Sequence, residues 1–460
     1  MQSSDPDPNA DTQSSSSSPE YPSEGYSWYF VTVLMIFYVV SFLDRQLIGL
    51  LIAPIKEDLD LSDTQIGMLL GFAFAFLYAI LGFPLGRLAD RVNRKYIIGI
   101  GMFFWSIMTA GTALARSFFS IFLFRMGVGV GEASLSPAAY SMITDTFPPD
   151  KLGRAFSVYS AGIYFGAGFS LLVGGQVIVW VSNMDPVSLP LMGELRPWQT
   201  VFLIVGIIGM FPLVLLATIK EPKRHGVKVH DSGKPKQASV GEVAAYIGKN
   251  WKTFFFHHMG FAALAFSSYG VGNWGVEFMR RVHGWDVPFI SRVFALHVIV
   301  CGVAGIFIGG YLMDYLSKKG YTDSAIRVGL LASILWIPTG IFYPIVANPW
   351  LAWSLMAVSF FFVAFPIGAA AAAVQKIVPN DMRGQASALY LFTANLIGLG
   401  IGPVAVGLLT DRVFHDEMKL GYSMLIVGVG AHILAIVSFS LGMKPFRESV
   451  AYLKKYNENH

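Results

Sequence analysis

Long apolar segments recur along the whole chain and limit what it can fold into. Each is about 20 residues long, the length that an α-helix needs to cross a hydrocarbon core of ~30 Å. Only 13% of the 460 residues are charged and the mean hydropathy is +0.56, whereas soluble domains carry roughly 25% charged residues. A soluble protein with this many apolar segments would expose large patches and aggregate. The sequence therefore predicts an integral membrane protein.

Twelve of these segments are candidate membrane spans. We expect α-helices, because backbone polar groups in lipid must be satisfied within the segment. The short alternating stretches of a transmembrane β-barrel are absent from the sequence. The predicted spans cover residues 28–52, 66–85, 97–115, 118–143, 155–181, 199–219, 252–278, 290–312, 325–346, 350–375, 386–410 and 421–443.

Basic residues predict the orientation of the chain. Most of the 33 Lys and Arg residues lie in the even-numbered loops and the C-terminal tail, and such residues favour the cytoplasmic side. Both termini are therefore expected in the cytoplasm, in a multi-pass protein of the plasma membrane or of a bacterial inner membrane. Because the basic residues are scattered over many loops, no nucleic-acid partner is expected.

The longest polar interruption separates six spans from six and defines the predicted domains. An N-terminal six-helix bundle covers 28–219 and a C-terminal one covers 251–445, joined by a cytoplasmic linker at 220–250. Residues 1–27 are too polar to form a core and are predicted to be a disordered cytoplasmic tail. The tail at 446–460 is a candidate surface helix.

The two halves repeat each other. GRLADRVNRK (86–95) follows the second span, and GYLMDYLSKK (310–319) follows the eighth. In the same way PPDKLGRA (148–155) follows the fourth span, and PNDMRGQA (379–386) follows the tenth. Two matching loops, in the same order and at the same place of each half, indicate duplicated bundles.

Four ionisable residues interrupt the first and fourth spans, namely Asp44, Arg45, Arg125 and Glu132. A charge at the bilayer centre costs about 2.5–3.5 kcal/mol on insertion scales, so these side chains are expected to face the protein interior. Neighbouring residues on a helix point about 100° apart. Asp44 and Arg45 therefore need partners on another helix.

The fourth span supplies those partners. Arg125, Glu132 and Ser136 lie at helical spacing on one face, with the first two about 10.5 Å apart along the axis. We predict that Asp44 pairs with Arg125. Arg45 would pair with Glu132, and both pairs would line a water-accessible pocket between the first and fourth spans. The alternative is that the charges only hold the two spans together, although buried ion pairs contribute little to stability.

These motifs, taken in order, resemble the major facilitator superfamily over residues 28–445. Two segments carry a finer likeness to its Spinster branch, FLDRQLIGLLIAPIKEDLDLSDTQIGMLLGFAFAFLYAILGFPLGRLADRVNRK (42–95) and RMGVGVGEASLSPAAYSMITDTFPPDKLGRA (125–155). Animal members of that branch move sphingosine-1-phosphate and lysophospholipids, and the general type resembled is a bacterial homologue. The resemblance implies an all-α membrane protein with twelve transmembrane helices in two pseudo-symmetric six-helix bundles. The anion:cation symporter branch has a similar first span and a similar Gly-Glu-Ala.

The resemblance also implies a central polar network in which a carboxylate, Asp44 or Glu132, takes the transported proton. The four mid-span charges lie in the N-terminal half, whereas the tenth span is apolar, as FFVAFPIGAAAAAV shows. One charged and one apolar wall suit an amphiphile. We predict a proton-coupled transporter of a lysophospholipid or sphingosine-1-phosphate-like lipid, working by alternating access; the alternative is a proton-coupled symporter of small organic anions. The candidate substrate-binding residues are Arg45, Arg125, Ser136, Tyr269, Asn273, Thr393 and Asn395.

The loop after the second span is a candidate conformational latch, formed by Gly86, Asp90, Arg91 and Arg94. Gly86 would permit close approach of two helices. The resemblance places Asp90 at the positive N-terminal end of the eleventh span. Arg91 and Arg94 would face the cytoplasm, Arg94 as a simple basic anchor.

Three charged residues, Glu277, Arg280 and Arg281, end the seventh span. We expect a solvated helix end there, with an outer gate as the alternative. The isolated His297 is expected to be a packing residue.

The sequence favours no enzymatic class, since no nucleophile elbow, metal triad or nucleotide-binding loop is evident. Cys301 is the single cysteine, so no intramolecular disulfide is possible. We expect no catalytic residue, metal or cofactor. The expected partners are a lipid-like small molecule, protons and membrane lipids, and the protein is expected to be a monomer.

Overall fold

The computed structural model describes residues 21–89, 91–148, 151–185, 187–190, 193–224, 238–379 and 381–458. The helices of the N-terminal half are α1 (Glu24–Leu50), α2 (Ile52–Leu59), α3 (Asp63–Gly67), α4 (Ala73–Ala89), α5 (Arg94–Gly111), α6 (Phe118–Glu132), α7 (Leu135–Thr146), α8 (Leu152–Ser182), α9 (Pro197–Met210) and α10 (Leu213–Thr218). The linker and the C-terminal half contain α11 (Val240–Lys249), α12 (Trp251–Gly272), α13 (Gly275–His283), α14 (Val287–Lys318), α15 (Ser324–Phe342), α16 (Pro349–Ala364), α17 (Ile367–Gln375), α18 (Arg383–Ala394), α19 (Gly402–Leu409) and α20 (Leu420–Glu458).

Short elements complete the fold. One β-hairpin pairs β1 (Ser188–Leu189) antiparallel with β2 (Gly193–Glu194). Single turns of 3₁₀- or π-helix interrupt or end the longer helices. These turns are Met68–Phe72, Thr112–Leu114, Asn395–Ile401, Thr410–Phe414 and Glu417–Lys419.

Within the described chain, eleven helices are long and apolar enough to cross a membrane. They coincide with every predicted span except the seventh, which is α12 continued by α13. Its 22-residue helix α12 contains His257 and His258, and these polar side chains lower its hydropathy. The predicted all-α architecture of two six-helix halves is confirmed. The first helix begins at Glu24 rather than at residue 28, and residues 1–20 of the predicted tail lie outside the described residues.

Some spans consist of two helices, and the fourth shows why. It breaks between α6 and α7, at Ala133 and Ser134. Pro137 has no N–H and cannot donate to the carbonyl of Ala133 one turn earlier. The regular helix therefore ends at Glu132 and resumes at Leu135, within the predicted polar stripe.

Glycines set the distance between the two halves. A Cβ added to Gly71 of the second span would lie 2.2 Å from the carbonyl oxygen of Leu399 in the eleventh. The fifth and eighth spans make a further close contact between the halves. There a Cβ on Gly168 of the fifth span would lie 2.4 Å from the Ile299 side chain of the eighth. Small residues allow such close packing of membrane helices, and here they bring the two bundles together around a central space.

The linker helix α11 belongs to the C-terminal half. The hydroxyl of Tyr246 donates to the carbonyl oxygen of Ile377 at 2.8 Å, and its ring packs against Tyr452 and Tyr456 of α20. The predicted tail continues α20 without a break. Its apolar side chains, including Phe446 at 1% exposure, pack in the same cluster as α11.

The molecule has two opposite ends, called the Asp63 end and the Arg94 end. The Asp63 end is where the first and second spans meet, and the Arg94 end is where the second and third spans meet. In the orientation predicted from the basic residues, the Asp63 end faces outward and the Arg94 end faces the cytoplasm.

Candidate functional site

Arg45 and Glu132 form an ion pair in the centre of the N-terminal half. One Glu132 oxygen, Oε2, lies 2.5 Å from Nη2 and 2.7 Å from Nε of Arg45. The two side chains are 16% and 0% exposed. This half of the crossed pairing predicted from the sequence is confirmed.

Aromatic rings enclose the same guanidinium. Its central carbon lies 5.0, 4.7 and 5.2 Å from the ring centroids of Phe42, Phe74 and Tyr78, within the range of cation–π attraction. Gly129 makes this arrangement possible, because a Cβ there would lie 2.4 Å from the carbonyl oxygen of Phe74. Arg45 is therefore held in one position by Glu132 and by the rings.

The predicted pair of Asp44 and Arg125 is wrong in its contact atoms. Nη1 of Arg125 donates to the main-chain carbonyl oxygen of Asp44 at 3.0 Å, instead of to its carboxylate. Asp44 and Arg125 are each 2% exposed. Among the described residues, three polar atoms of this network have no hydrogen-bond partner, namely Asp44 Oδ2, Arg125 Nε and Glu132 Oε1. Such partly satisfied buried networks are costly, so each unpaired atom calls for a physical explanation.

A chamber of about 220 Å³ lies beside Arg45. The first and fifth spans line one side of it, and among the described lining residues Arg45 is the one charged side chain. Leu70 of the second span and the C-terminal half form the rest. The predicted pocket between the first and fourth spans is therefore wrong in position. Asp44, Arg125 and Glu132 are not among the lining residues and lie behind Arg45.

Two of the predicted C-terminal binding residues line this chamber, and two do not. Tyr269 and Asn273 are on its wall. Thr393 donates its hydroxyl to the carbonyl oxygen of Leu389 in its own helix at 2.9 Å, and Asn395 begins a π-helical turn; neither lines the chamber. Ser136 is also absent from the lining.

The C-terminal wall carries residues that the sequence analysis did not select. Apolar side chains dominate it, and its neutral polar residues include Ser267, His297, Tyr343 and Ser359. Helical periodicity could not single them out, because a span packed on several sides has no one polar face. His297 is 5% exposed and packs between aromatic rings, as expected, but it also faces the chamber. The remaining C-terminal lining residues are Ser268, Val271, Gly272, Val276, Phe294, Val298, Trp336, Met356, Phe360, Val363, Ala364 and Ile367.

At the Arg94 end, the predicted latch differs from expectation. A Cβ added to Gly86 would meet Pro137 at an ordinary 3.7 Å, so close approach does not require glycine there. Asp90 lies outside the described residues. Arg91 is exposed, as a cytoplasm-facing residue would be.

Arg94 is fully buried, so its prediction as a simple basic anchor is wrong. Nε donates to Glu221 at 2.7 Å, and Nη1 donates to Ser141 at 2.8 Å. Nη1 also pairs with Asp145, and Nη2 donates to the carbonyl oxygen of Pro222 at 3.0 Å. Arg94 thus ties the third and fourth spans to the start of the linker, all on the N-terminal side of the molecule.

At the Asp63 end, a buried cluster of charges joins the two halves. Arg281 of the seventh span binds both oxygens of Asp63 at 2.6 and 2.8 Å. Lys56 bridges Asp63 and Glu417, each at 2.6 Å, and Arg281 Nε lies 2.5 Å from Glu277. Asp63 and Arg281 are 0% and 4% exposed. The predicted solvated helix end is therefore wrong, and the contacts fit the alternative of a gate at this end.

The charges of this cluster stabilise one another. The Asp63 and Glu277 carboxylates lie 2.6 and 2.5 Å from the buried Arg281 guanidinium, so opposite charges offset the cost of its burial. Among the described residues, the ion pairs at the Arg94 end stay within one half or its linker. The molecule is therefore closed by inter-half ion pairs at its Asp63 end.

Comparisons with known proteins agree with this architecture. The family profile described as Major Facilitator Superfamily matches residues 34–403. An MFS-type efflux pump of Mycolicibacterium smegmatis is 27% identical, over 92% of this chain and 94% of that protein. A hexuronate transporter of Bacillus subtilis is 26% identical, over 81% of this chain and 86% of that protein.

A solved structure is similar in fold along almost the whole chain. It is a bacterial homologue of the human lysosomal transporter Spinster, in an inward-facing and unoccupied conformation. The TM-score is 0.74 at 25% identity, covering 94% of this chain and 99% of that one. The resemblance to the Spinster branch expected from the sequence is confirmed.

Proposed function

This chain belongs to the major facilitator superfamily and is a secondary transporter, and we propose that it moves an amphipathic anionic lipid, such as a lysophospholipid or a sphingosine-1-phosphate-like molecule. Transport would be coupled to protons and would proceed by alternating access between the two halves. The observation that carries this proposal is the central chamber, with Arg45 on one side and a mainly apolar wall on the other.

The chamber offers separate environments for a charged head and an alkyl chain. An anionic head at Arg45 would form charge-assisted hydrogen bonds, which are about twice as strong as neutral ones. The chain would cover side chains such as Val363 and Ile367, gaining about 0.8 kcal/mol for each CH₂ removed from water. A small hydrophilic anion would gain little from these apolar side chains.

The Arg45–Glu132 pair supports a link between proton and substrate. Glu132 already neutralises Arg45 in this structure, so a substrate anion has to compete with it. Protonation of Glu132 would remove its charge and release the guanidinium. The proton and the anion would then favour each other's binding, and this linkage is reciprocal. Such positive coupling suits symport of both in one direction.

Asp44 supports a second protonation site. Its carboxylate is buried, and Oδ2 has no hydrogen-bond partner among the described residues. An ionised carboxylate in such surroundings is costly, and a proton would remove that cost. We therefore assign proton transfer to Asp44 and Glu132. Arg125, which contacts the main chain of Asp44, would position it and contribute to the positive field for the head group.

A proton-coupled symporter of sugar acids is the second candidate function. The hexuronate transporter is similar over most of this chain, and a probable galactarate/D-glucarate transporter of Bacillus subtilis is 26% identical over 94% of it. Neutral hydrogen-bonding groups in the lining, such as Gln46, Asn273 and Ser268, favour this candidate, because a sugar acid carries hydroxyl groups as well as a carboxylate.

A ligand screen distinguishes the two candidates. Thermal unfolding of the detergent-purified protein would be measured with lysophosphatidic acid and sphingosine-1-phosphate, and in parallel with glucuronate and galactarate. A ligand that binds only the folded protein raises the midpoint. We expect stabilisation by the lipids, reduced in Arg45→Ala and retained in the control Arg292→Ala, whose side chain is exposed. A monoacylglycerol with the same chain should have little effect. Stabilisation by the sugar acids alone would replace the lipid proposal with the second candidate.

A further inference from the structure

The eleventh span ends in GLLTDR (407–412), which repeats the Gly-x-Leu-x-Asp-Arg pattern of GRLADR (86–91) at the end of the second span. The two spans pack against each other across the boundary between the halves and run in opposite directions. Each copy of the pattern stands at the end of its own span, so it lies beside the beginning of the span that packs against it. GLLTDR belongs to the Asp63 end, opposite to GRLADR.

Asp411 of this second copy binds the first turn of the second span. Its Oδ2 accepts hydrogen bonds from the main-chain N–H and the hydroxyl of Thr64, both at 2.6 Å. Its Oδ1 accepts the N–H of Asp63 at 3.2 Å. The first N–H groups of a helix have no partner within the helix, and a carboxylate there is also favoured by the helix dipole. Asp411 thus caps a helix of the other half.

The second span also has a local cap, Ser62, but this residue does not replace the contact with Asp411. Ser62 accepts the N–H of Gln65 through its hydroxyl at 3.2 Å, whereas Asp411 takes the N–H groups of Asp63 and Thr64. Separation of the two halves would therefore leave donors that the local cap does not reach. The contact with Asp411 exists only while the Asp63 end is closed.

Gly407, the glycine of the repeated pattern, makes the contact sterically possible. A Cβ at this position would lie 2.2 Å from the carbonyl oxygen and 2.6 Å from the carbonyl carbon of Asp63. These are backbone atoms, so the neighbour cannot move aside as a flexible side chain could. A side chain at residue 407 would hold the two helices apart.

We propose that GLLTDR is a latch at the Asp63 end, in which Asp411 caps the second span in the closed state and releases it whenever that end opens. The latch acts beside the Asp63–Arg281 ion pair but through different atoms, since Asp411 binds main-chain and hydroxyl groups of its partner helix. It requires the alternating access proposed above, and no particular substrate.

The test measures the opening of the Asp63 end directly. Spin labels would be attached at Met184→Cys in the N-terminal half and Met418→Cys in the C-terminal half, in a Cys301→Ser background; both methionines are exposed and flank this end. Double electron–electron resonance then measures the distance between the two labels in the purified protein without ligand. The variants are Asp411→Asn, Thr64→Val and Gly407→Ala. The control is Asp286→Asn, because Asp286 caps a helix of its own half by accepting the N–H of Phe289 at 2.9 Å.

We expect Asp411→Asn and Thr64→Val to raise the ratio of open to closed distances about tenfold, since each removes a hydrogen bond involving a charged group. Gly407→Ala should move it in the same direction, and Asp286→Asn should leave it as in the parent. Thr64→Val changes few atoms, so it remains informative if Gly407→Ala does not fold. Unchanged distances in both Asp411→Asn and Thr64→Val would overturn the proposal, as would an equal shift in Asp286→Asn.

Discussion

In the N-terminal half, Asp44, Arg45, Arg125 and Glu132 gather beside the chamber, whereas the C-terminal half contributes no Asp, Glu, Lys or Arg to the lining among the described residues. Both halves have six spans and carry matching loops, so this contrast is one of side chains rather than of architecture. Two copies of one bundle can therefore serve different functions within one transporter. In the proposed function, the charged half would hold protons and an anionic head, while the neutral half would supply surface for the remainder of the substrate.

Removing a carboxylate from the charged half is expected to have the largest effect. Asp44→Asn or Glu132→Gln should reduce proton-driven uptake into proteoliposomes about 100-fold, because a coupling of ~3 kcal/mol corresponds to that factor. Transport down a substrate gradient should continue, since the chamber stays intact. The matched control is Glu448→Gln, an exposed carboxylate in the tail. Normal proton-driven uptake by either buried variant would remove that residue from the coupling site.

Removing the cation that faces the chamber should come next. Arg45→Ala is expected to weaken binding of an anionic ligand about tenfold or more, since hydrogen bonds to charged groups contribute about 1.5–3 kcal/mol. Arg45→Lys should lie between this variant and the parent, because an ammonium cannot reproduce the planar fork of a guanidinium. Isothermal titration calorimetry on the detergent-purified protein measures both. Equal affinities in all three proteins would show that the anion binds elsewhere.

Altering the neutral wall should have the smallest effect on a lipid and a larger one on a sugar acid. Asn273→Leu keeps a similar volume while removing the amide that lines the chamber. Lipid affinity should stay within about twofold, whereas a sugar acid that uses the amide should lose about tenfold. Binding isotherms of one ligand from each class suffice. A large loss of lipid binding would mean that the head group contacts the C-terminal half.

The sequence predicts the spans from the length of its apolar segments and the two halves from its repeated loops, whereas the Arg45–Glu132 pair follows from the cost of a charge in the membrane. A charge in an apolar span must turn inward, and four charges on two helices leave few possible pairings. The sequence did not predict that Arg125 donates to the main-chain oxygen of Asp44. Every backbone carbonyl is a competing acceptor, and side-chain patterns do not reveal which one is used.

Other features depended on contacts between distant segments. The chamber is lined by residues of both halves, such as Ala167 of the fifth span and Val298 of the eighth, which only the folding of the whole chain brings together. The burial of Arg94 depends on Glu221, which is 127 residues further along the chain. The repeat of GRLADR in GLLTDR is present in the sequence, but the latch proposed for it rests on the contact between Asp411 and Thr64.

Under the proposed function, Glu132 releases Arg45 to a substrate anion when it takes a proton, and the pH dependence of ligand binding is the decisive test of this release. The dissociation constant of the ligand identified in the screen would be measured across a pH series for the parent and for Glu132→Gln. The parent should bind more tightly as the pH falls, because protonation removes the competing carboxylate. Glu132→Gln should bind tightly throughout, since its neutral amide cannot compete as an anion. A pH dependence of binding in Glu132→Gln as steep as that of the parent would contradict the release of Arg45 by protonation of Glu132.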